Sequence, residues 1–198
     1  MEGPGRSVCE NGWMTLRSER PAGGEGHLVF WCPRDFPDSF VADWEVELLA
    51  KEGLCIAFFA ARGGQGEDLF DPGLKRRTGV FRQYTQSDLN CYHISYFANA
   101  PNAPGRITAN MRKNSGFYIV ANGPPGIAPG QQGVHGVRLV KDAARVQLLV
   151  DGRVIIDFLD DGRRFGPVLG SGKIGFRQMS GTVARYRSFR VQALAPPR

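Results

Sequence analysis

Apolar and polar residues alternate along much of this chain with a period of two, as in half-buried β-strands, and no long segment shows the 3.6-residue period of an amphipathic helix. Over Phe40–Leu49 the alternation sends Phe40, Ala42, Trp44, Val46 and Leu48 to one side and Val41, Asp43, Glu45 and Glu47 to the other. Strands are predicted over His27–Cys32, Phe40–Leu49, Leu54–Ala61, Asn90–Ala98, Ile107–Arg112 and Gly116–Ala121. Others follow over Gly136–Lys141, Arg145–Val150, Val154–Phe158, Lys173–Met179 and Val183–Leu194. Turn signals separate them at Asp71-Pro72-Gly73, Pro101–Gly105, Asn122–Gly133, Asp151-Gly152 and Asp161-Gly162. The clearest hairpin is Arg145–Val150 joined to Val154–Phe158, because an Asp-Gly pair supplies the positive φ angles of a type I′ turn. Many strands without helices predict an all-β fold, and their length favours a jelly-roll sandwich of two antiparallel sheets over a barrel.

With 198 residues, 42% of them hydrophobic, the chain can bury one sizeable core, and a single domain over residues 1–198 is expected. The 26 Gly and 13 Pro are dispersed among apolar runs, which suits turns between strands rather than a disordered chain. No apolar stretch approaches the roughly 20 residues of a membrane span, and the first 25 residues lack the apolar centre of a secretory signal, so a cytoplasmic location is expected. Cys9, Cys32, Cys55 and Cys91 have neither CxxC pairing nor a close His, which argues against zinc and predicts free, buried thiols.

The net charge is +6, with Arg outnumbering Lys four to one. The positive charges are spread along the chain and no RNA- or DNA-binding motif accompanies them, so nucleic acid is not an expected partner. Arg pairs bidentately with carboxylates, which makes a uronate-containing oligosaccharide the better physical match.

Candidate chemistry concentrates in Arg77–Phe97, where aromatic rings, one His and several amides and hydroxyls share a largely β segment. Such a surface suits a flat, polar ligand such as a sugar, with Tyr84 and Tyr92 as stacking platforms. On Asn90–Phe97 strict alternation groups Cys91, His93, Ser95 and Phe97 against Asn90, Tyr92, Ile94 and Tyr96, and leaves open which face lines a groove. His93 is a candidate proton-transfer residue. Asp43, Glu45 and Glu47 project from one strand face at a spacing compatible with paired glycosidase carboxylates, and Glu45 is the second catalytic candidate. Arg76, Arg77, Arg112, Lys113 and Arg177 form a basic set for an anionic ligand, of which Arg112, Lys113 and Arg177 are the substrate-binding candidates; Arg177 leaves the core because Ile174, Phe176 and Gln178 face it. Glu67, Asp68 and Asp71 could ligate calcium, although their spacing is not that of an EF-hand, and no organic cofactor is expected.

The segments HLVFWCPRDFPDSFVADWEVE, EGLCIAFFAARGGQGEDLFDP, RTGVFRQYTQSDLNCYHISYF, MRKNSGFYIVANGPPG and GKIGFRQM, with the closing RYRSFRV, resemble the bacterial YesU-like family of unknown function. That resemblance implies a concanavalin A-like jelly roll whose genes neighbour the breakdown of pectin-type polysaccharides. It also implies a strand upstream of the MEGPG run, so either the start of the chain is misplaced or the domain lacks an N-terminal edge strand, which would leave a neighbouring edge prone to self-association. The function expected is cleavage of a glycosidic bond in acidic plant-type oligosaccharides, by hydrolysis or elimination. The alternative is a non-catalytic carbohydrate-binding module, since fold alone does not decide function.

Overall fold

The computed structural model describes residues 1–19, 26–100 and 104–195 of the chain. It contains thirteen strands: β1 (Gly5–Glu10), β2 (Trp13–Ser18), β3 (Leu28–Trp31), β4 (Phe40–Leu48), β5 (Gly53–Gly63), β6 (Leu89–Asn99), β7 (Ala109–Asn114), β8 (Tyr118–Gly123), β9 (Val134–Asp142), β10 (Arg145–Val150), β11 (Arg153–Leu159), β12 (Lys173–Gln178) and β13 (Val183–Ala193). One helical turn, α1 (Arg82–Thr85), interrupts them. A seven-stranded sheet in the order β1-β2-β13-β4-β9-β10-β11 faces a six-stranded sheet in the order β3-β12-β5-β6-β7-β8, and the paired strands run antiparallel. This is the jelly-roll sandwich expected from the alternation.

The core lies between the sheets, where alternation on β4 buries Phe40, Ala42, Trp44 and Val46. Trp44 meets Phe176 at 5.2 Å between centroids, and Phe176 stacks on Tyr186 at 4.7 Å. Each such buried aromatic contributes on the order of 1.5–3 kcal/mol. Asp151 and Gly152 take φ of 50° and 76°, as the tight β10–β11 turn requires.

The structure corrects the sequence reading at several places. The hairpin β1–β2 escaped prediction because β1 is exposed along nearly its whole length and shows no alternation. Cys9 lies exposed on that hairpin and Cys32 is half-buried, so only Cys55 and Cys91 are core thiols; all four are free. In β6 a register shift opposite Cys55/Ile56 breaks the alternation, and Phe97 joins Tyr96 in the core instead of following His93 and Ser95. Of the expected turn Pro101–Gly105, residues 101–103 lie outside the described residues.

A second apolar cluster, including Val29, Trp31, Ile56, Phe58, Leu69, Tyr84 and Cys91, lies on the outer face of the six-stranded sheet. The connection between β5 and β6 covers it from Phe58 onward, while Leu54 and Ile56 of the same cluster border a cavity. Gly175 makes room for this layer, since a Cβ there would meet the Trp31 ring at 2.3 Å. The connection is pinned by Lys173, whose Nζ lies 2.7 Å from Asp68 and 2.9 Å from Asp35, and by Arg77, which donates to Glu2 at 3.0 Å and to the Leu69 carbonyl at 2.6 Å. Thus one half of the outer face is sealed and the other half stays open. Among the described residues, no helix is long and apolar enough to cross a membrane.

Candidate functional site

The open half of that face is lined from β5, β6, β7 and β12 and from the connections around them. His93 on β6 stands directly opposite Arg112 on β7 and Phe58 on β5, while Arg177 on β12 pairs with Ile56 on β5. His93, Arg112, Arg177 and Ile56, with Phe81, Phe117, Ser95 and Arg106, line a cavity of about 150 Å³. Among the described residues, no Asp or Glu lines it. The cavity is therefore built of donors over an apolar floor supplied by Leu54 and Ile56.

Arg177 is fully buried. Its Nη1 donates to the Gly79 carbonyl at 2.9 Å, and its guanidinium carbon lies 4.6 Å from the Phe81 centroid and 5.5 Å from that of Tyr84. Nε and Nη2 have no hydrogen-bond partner among the described residues. These two nitrogens form one edge of the guanidinium, the edge that grips a carboxylate with two parallel bonds. Burial pulls the pKa of Arg177 down to about 10, which still leaves it cationic at neutral pH.

His93 sits edge-on to Phe58 and Phe81, at 5.2 and 5.8 Å, with Phe117 at 6.0 Å. Burial, reinforced by Arg112, Arg177 and Arg106, lowers its pKa to about 3, so it is neutral in the physiological range. Asn114 Nδ2 lies 2.9 Å from His93 Nδ1 and 3.3 Å from Cys91 Sγ, while the Cys91 thiol faces the Tyr84 carbonyl at 3.9 Å. A neutral imidazole keeps one donor and one acceptor nitrogen, and with a pKa this low His93 is a weak base.

Arg112 bonds the Phe117 carbonyl at 2.8 Å and lies 3.7 Å over the Phe117 ring, which holds that residue at a φ of 59°. Arg106 donates to Ser95 Oγ at 2.6 Å. Burial lowers the pKa of both Arg residues, and the two repel one another across the cavity.

Other sequence candidates lie elsewhere. Tyr84 and Tyr92 are fully buried and offer no face for stacking: the Tyr84 hydroxyl accepts from Gly79 N at 3.1 Å, and that of Tyr92 donates to Asp160 and accepts from Leu169 N. Strict alternation puts Tyr92 and Lys113 on the core side, opposite to His93 and Arg112. Lys113 is buried against Asp160 at 2.6 Å and the Gly166 carbonyl at 2.8 Å, so it is spoken for. Although burial pushes the Asp160 carboxyl up, the hydrogen bonds from Lys113 and Tyr92 hold it below the usual range. Glu45 belongs to the other sheet. It pairs with Arg187, as Asp43 does with Arg138 and Glu47 with Arg185, so this acidic face is an ion-paired surface rather than part of the cavity. Arg76 is exposed, and Arg77 is spent on Glu2. Asp68 serves Lys173, and Asp71 and Glu67 cap turn N–H groups. No group of three or more His, Cys, Asp or Glu placed to hold a metal ion occurs among the described residues.

Phe81, Phe117, Arg106 and Asn114 were not singled out from the sequence. All four lie in turns or at strand ends, where periodicity carries no information about direction. Larger hollows exist, one beside Glu45 over paired charges and one of about 560 Å³ between the N-terminal hairpin and β3, lined by Trp13, Phe30 and Phe189. Neither contains a buried charged group in search of a partner.

Residues 1–191 match a family described as a domain of unknown function, DUF1961. The uncharacterized protein YesU of Bacillus subtilis (strain 168) is 43% identical over 171 residues, covering 84% of this chain and 77% of that protein. A Bacillus subtilis crystal structure, of a protein of unknown function with a galectin-like fold, superposes with a TM-score of 0.91 at 38% identity, over 99% of this chain and 89% of the other. The carbohydrate-binding module CBM66 from Bacillus subtilis reaches a TM-score of 0.61 at 12% identity, over 98% and 97% of the two chains, a likeness of fold alone.

Proposed function

The chain belongs to the DUF1961 family, and from that premise we propose that it is a carbohydrate-binding protein whose cavity on the six-stranded sheet receives the carboxylate of an acidic oligosaccharide. One observation carries the reading: among the described residues, Arg177 is a buried cation with two adjacent N–H groups unpaired, in a cavity lined by no acidic residue. A buried charge without a partner costs several kcal/mol, and a ligand carboxylate relieves that cost while forming a bidentate pair. Arg112 and Arg106 add positive potential, His93 Nε2 hydrogen-bonds a hydroxyl, and Ile56 and Leu54 meet the apolar face of a pyranose. The fold agrees with this, since it is shared with a carbohydrate-binding module, with carbohydrate recognition domains and with a glycosidic hydrolase.

Binding fits the geometry better than cleavage. Hydrolysis of a glycosidic bond uses a carboxyl pair, and among the described residues none lines the cavity. Elimination next to a uronate needs a base, and His93, whose pKa burial lowers to about 3, is a weak one. Calorimetry with a uronate oligosaccharide and its neutral counterpart tests the reading. Affinity for the acidic ligand is expected to exceed that for the neutral one by at least about tenfold, from one charge-assisted pair. Equal affinities overturn it, and a new near-ultraviolet chromophore or new reducing ends during incubation restore the cleavage reading.

A further inference from the structure

Resting on that reading of the cavity, we infer that it takes a single ring, the uronosyl residue at the non-reducing end of an oligosaccharide, and keeps the rest of the chain outside. Size sets the first limit. The cavity measures about 150 Å³, and a hollow of about that volume accommodates one six-membered ring.

Closure sets the second. Beyond His93 the outward row on β6 continues to Cys91, and on β5 it continues from Ile56 to Phe58; both onward positions are fully buried and lie outside the cavity lining. Tyr84 stacks on Phe58 at 5.8 Å, and Trp31 packs behind them at 5.6 Å from Phe58. Phe81 stands at this boundary with its ring over Arg177. A sugar chain lying along the strands would have to pass through these rings, so it must end in the cavity.

Polarity fixes which end. The unpaired edge of Arg177 draws the carboxylate toward the sealed side, because its guanidinium is held between Phe81 and Tyr84. In a hexuronate ring the carboxylate sits on C5, adjacent to C4. With C5 turned inward, O4 is enclosed beside it, whereas C1, on the far side of the ring oxygen, lies nearer the mouth. A residue linked through C1 can leave its neighbours in solvent. A residue carrying a sugar on O4 cannot enter without displacing Phe81 or Phe58.

Three probes test this by calorimetry: a methyl hexuronoside, a disaccharide with the uronate at its non-reducing end, and the isomer in which a neutral hexose is attached to the uronate O4. The first two are expected to bind with similar affinity and the third at least about tenfold more weakly. Phe81→Ala is expected to narrow the gap between the two disaccharides by opening the closed end. Equal binding of the O4-substituted isomer, or a gap that Phe81→Ala leaves unchanged, overturns end recognition while the acidic-sugar reading stands. Failure of all three to bind folded protein overturns both.

Discussion

Asn114 Nδ2 stands 2.9 Å from Nδ1 of His93, so the last residue of β7 anchors the β6 imidazole through that nitrogen. The ring stays neutral down to about pH 3, against a reference of 6.5. Between those values the unfolded chain binds a proton that the folded chain refuses. Stability from this group is therefore complete above about pH 6.5 and falls as the pH drops toward 3, by up to about 1.4 kcal/mol per pH unit. His93→Gln is expected to flatten the upper part of that slope, before Asp160 and other carboxylates protonate. Urea unfolding over a pH series reads it, and an unaltered slope contradicts the assignment.

Arg177→Met removes the buried charge but keeps much of its volume. Uronate affinity is expected to drop at least about tenfold, whereas stability without ligand holds or rises, because an uncompensated buried cation is unfavourable. Calorimetry and thermal unfolding on the same sample separate the two effects. A variant that loses stability and keeps its affinity would place Arg177 among the purely structural residues.

Glu45→Gln is expected to leave ligand binding unchanged and to cost no more than about 1 kcal/mol, since the Arg187–Glu45 pair is solvent-exposed. A large loss of binding would move the site to the seven-stranded sheet.

Lys113→Ala strands Asp160 in the protein interior, where both members of the pair are 3% exposed. Breaking a buried pair in this way costs about 3–5 kcal/mol. The loss should be visible in urea midpoints with the calorimetric affinity for uronate little changed in the protein that remains folded. A cost below about 1 kcal/mol would mean that the segment carrying Asp160 is held mainly by other contacts.

Thiol reactivity should follow exposure. Cys9 reacts at once with a water-soluble disulfide reagent and Cys32 more slowly, while Cys55 and Cys91, whose pKa burial raises to about 12, react only after unfolding. Rapid titration of all four groups in native protein would contradict the packing of β5 and β6.

The strands were legible because alternation survives wherever one face meets the core, as it does along β4 and β12. It fails for β1, which is wet on both faces, and for β6, where a local irregularity turns Phe97 inward. His93, Arg112 and Arg177 could be nominated from alternation alone, since each follows or precedes a core residue on its strand. Their meeting depends on the sheet order β12-β5-β6-β7, a long-range arrangement without a local signal. Glu45 and His93, the two separate catalytic candidates, sit on different sheets. Tyr84 and Tyr92 misled because an aromatic ring with a hydroxyl reads alike in a sugar platform and in a core with a buried hydrogen bond.

A buried cation without a counter-ion also makes the molecule an indicator of its own ligand. Whatever neutralises Arg177 binds the folded chain and not the unfolded one, so at a hundredfold excess over its dissociation constant it adds about 2.7 kcal/mol to the folded state. A melting-temperature survey of sugar acids therefore needs no knowledge of any reaction, and the compounds that raise the transition most would define the chemistry this cavity was shaped to hold.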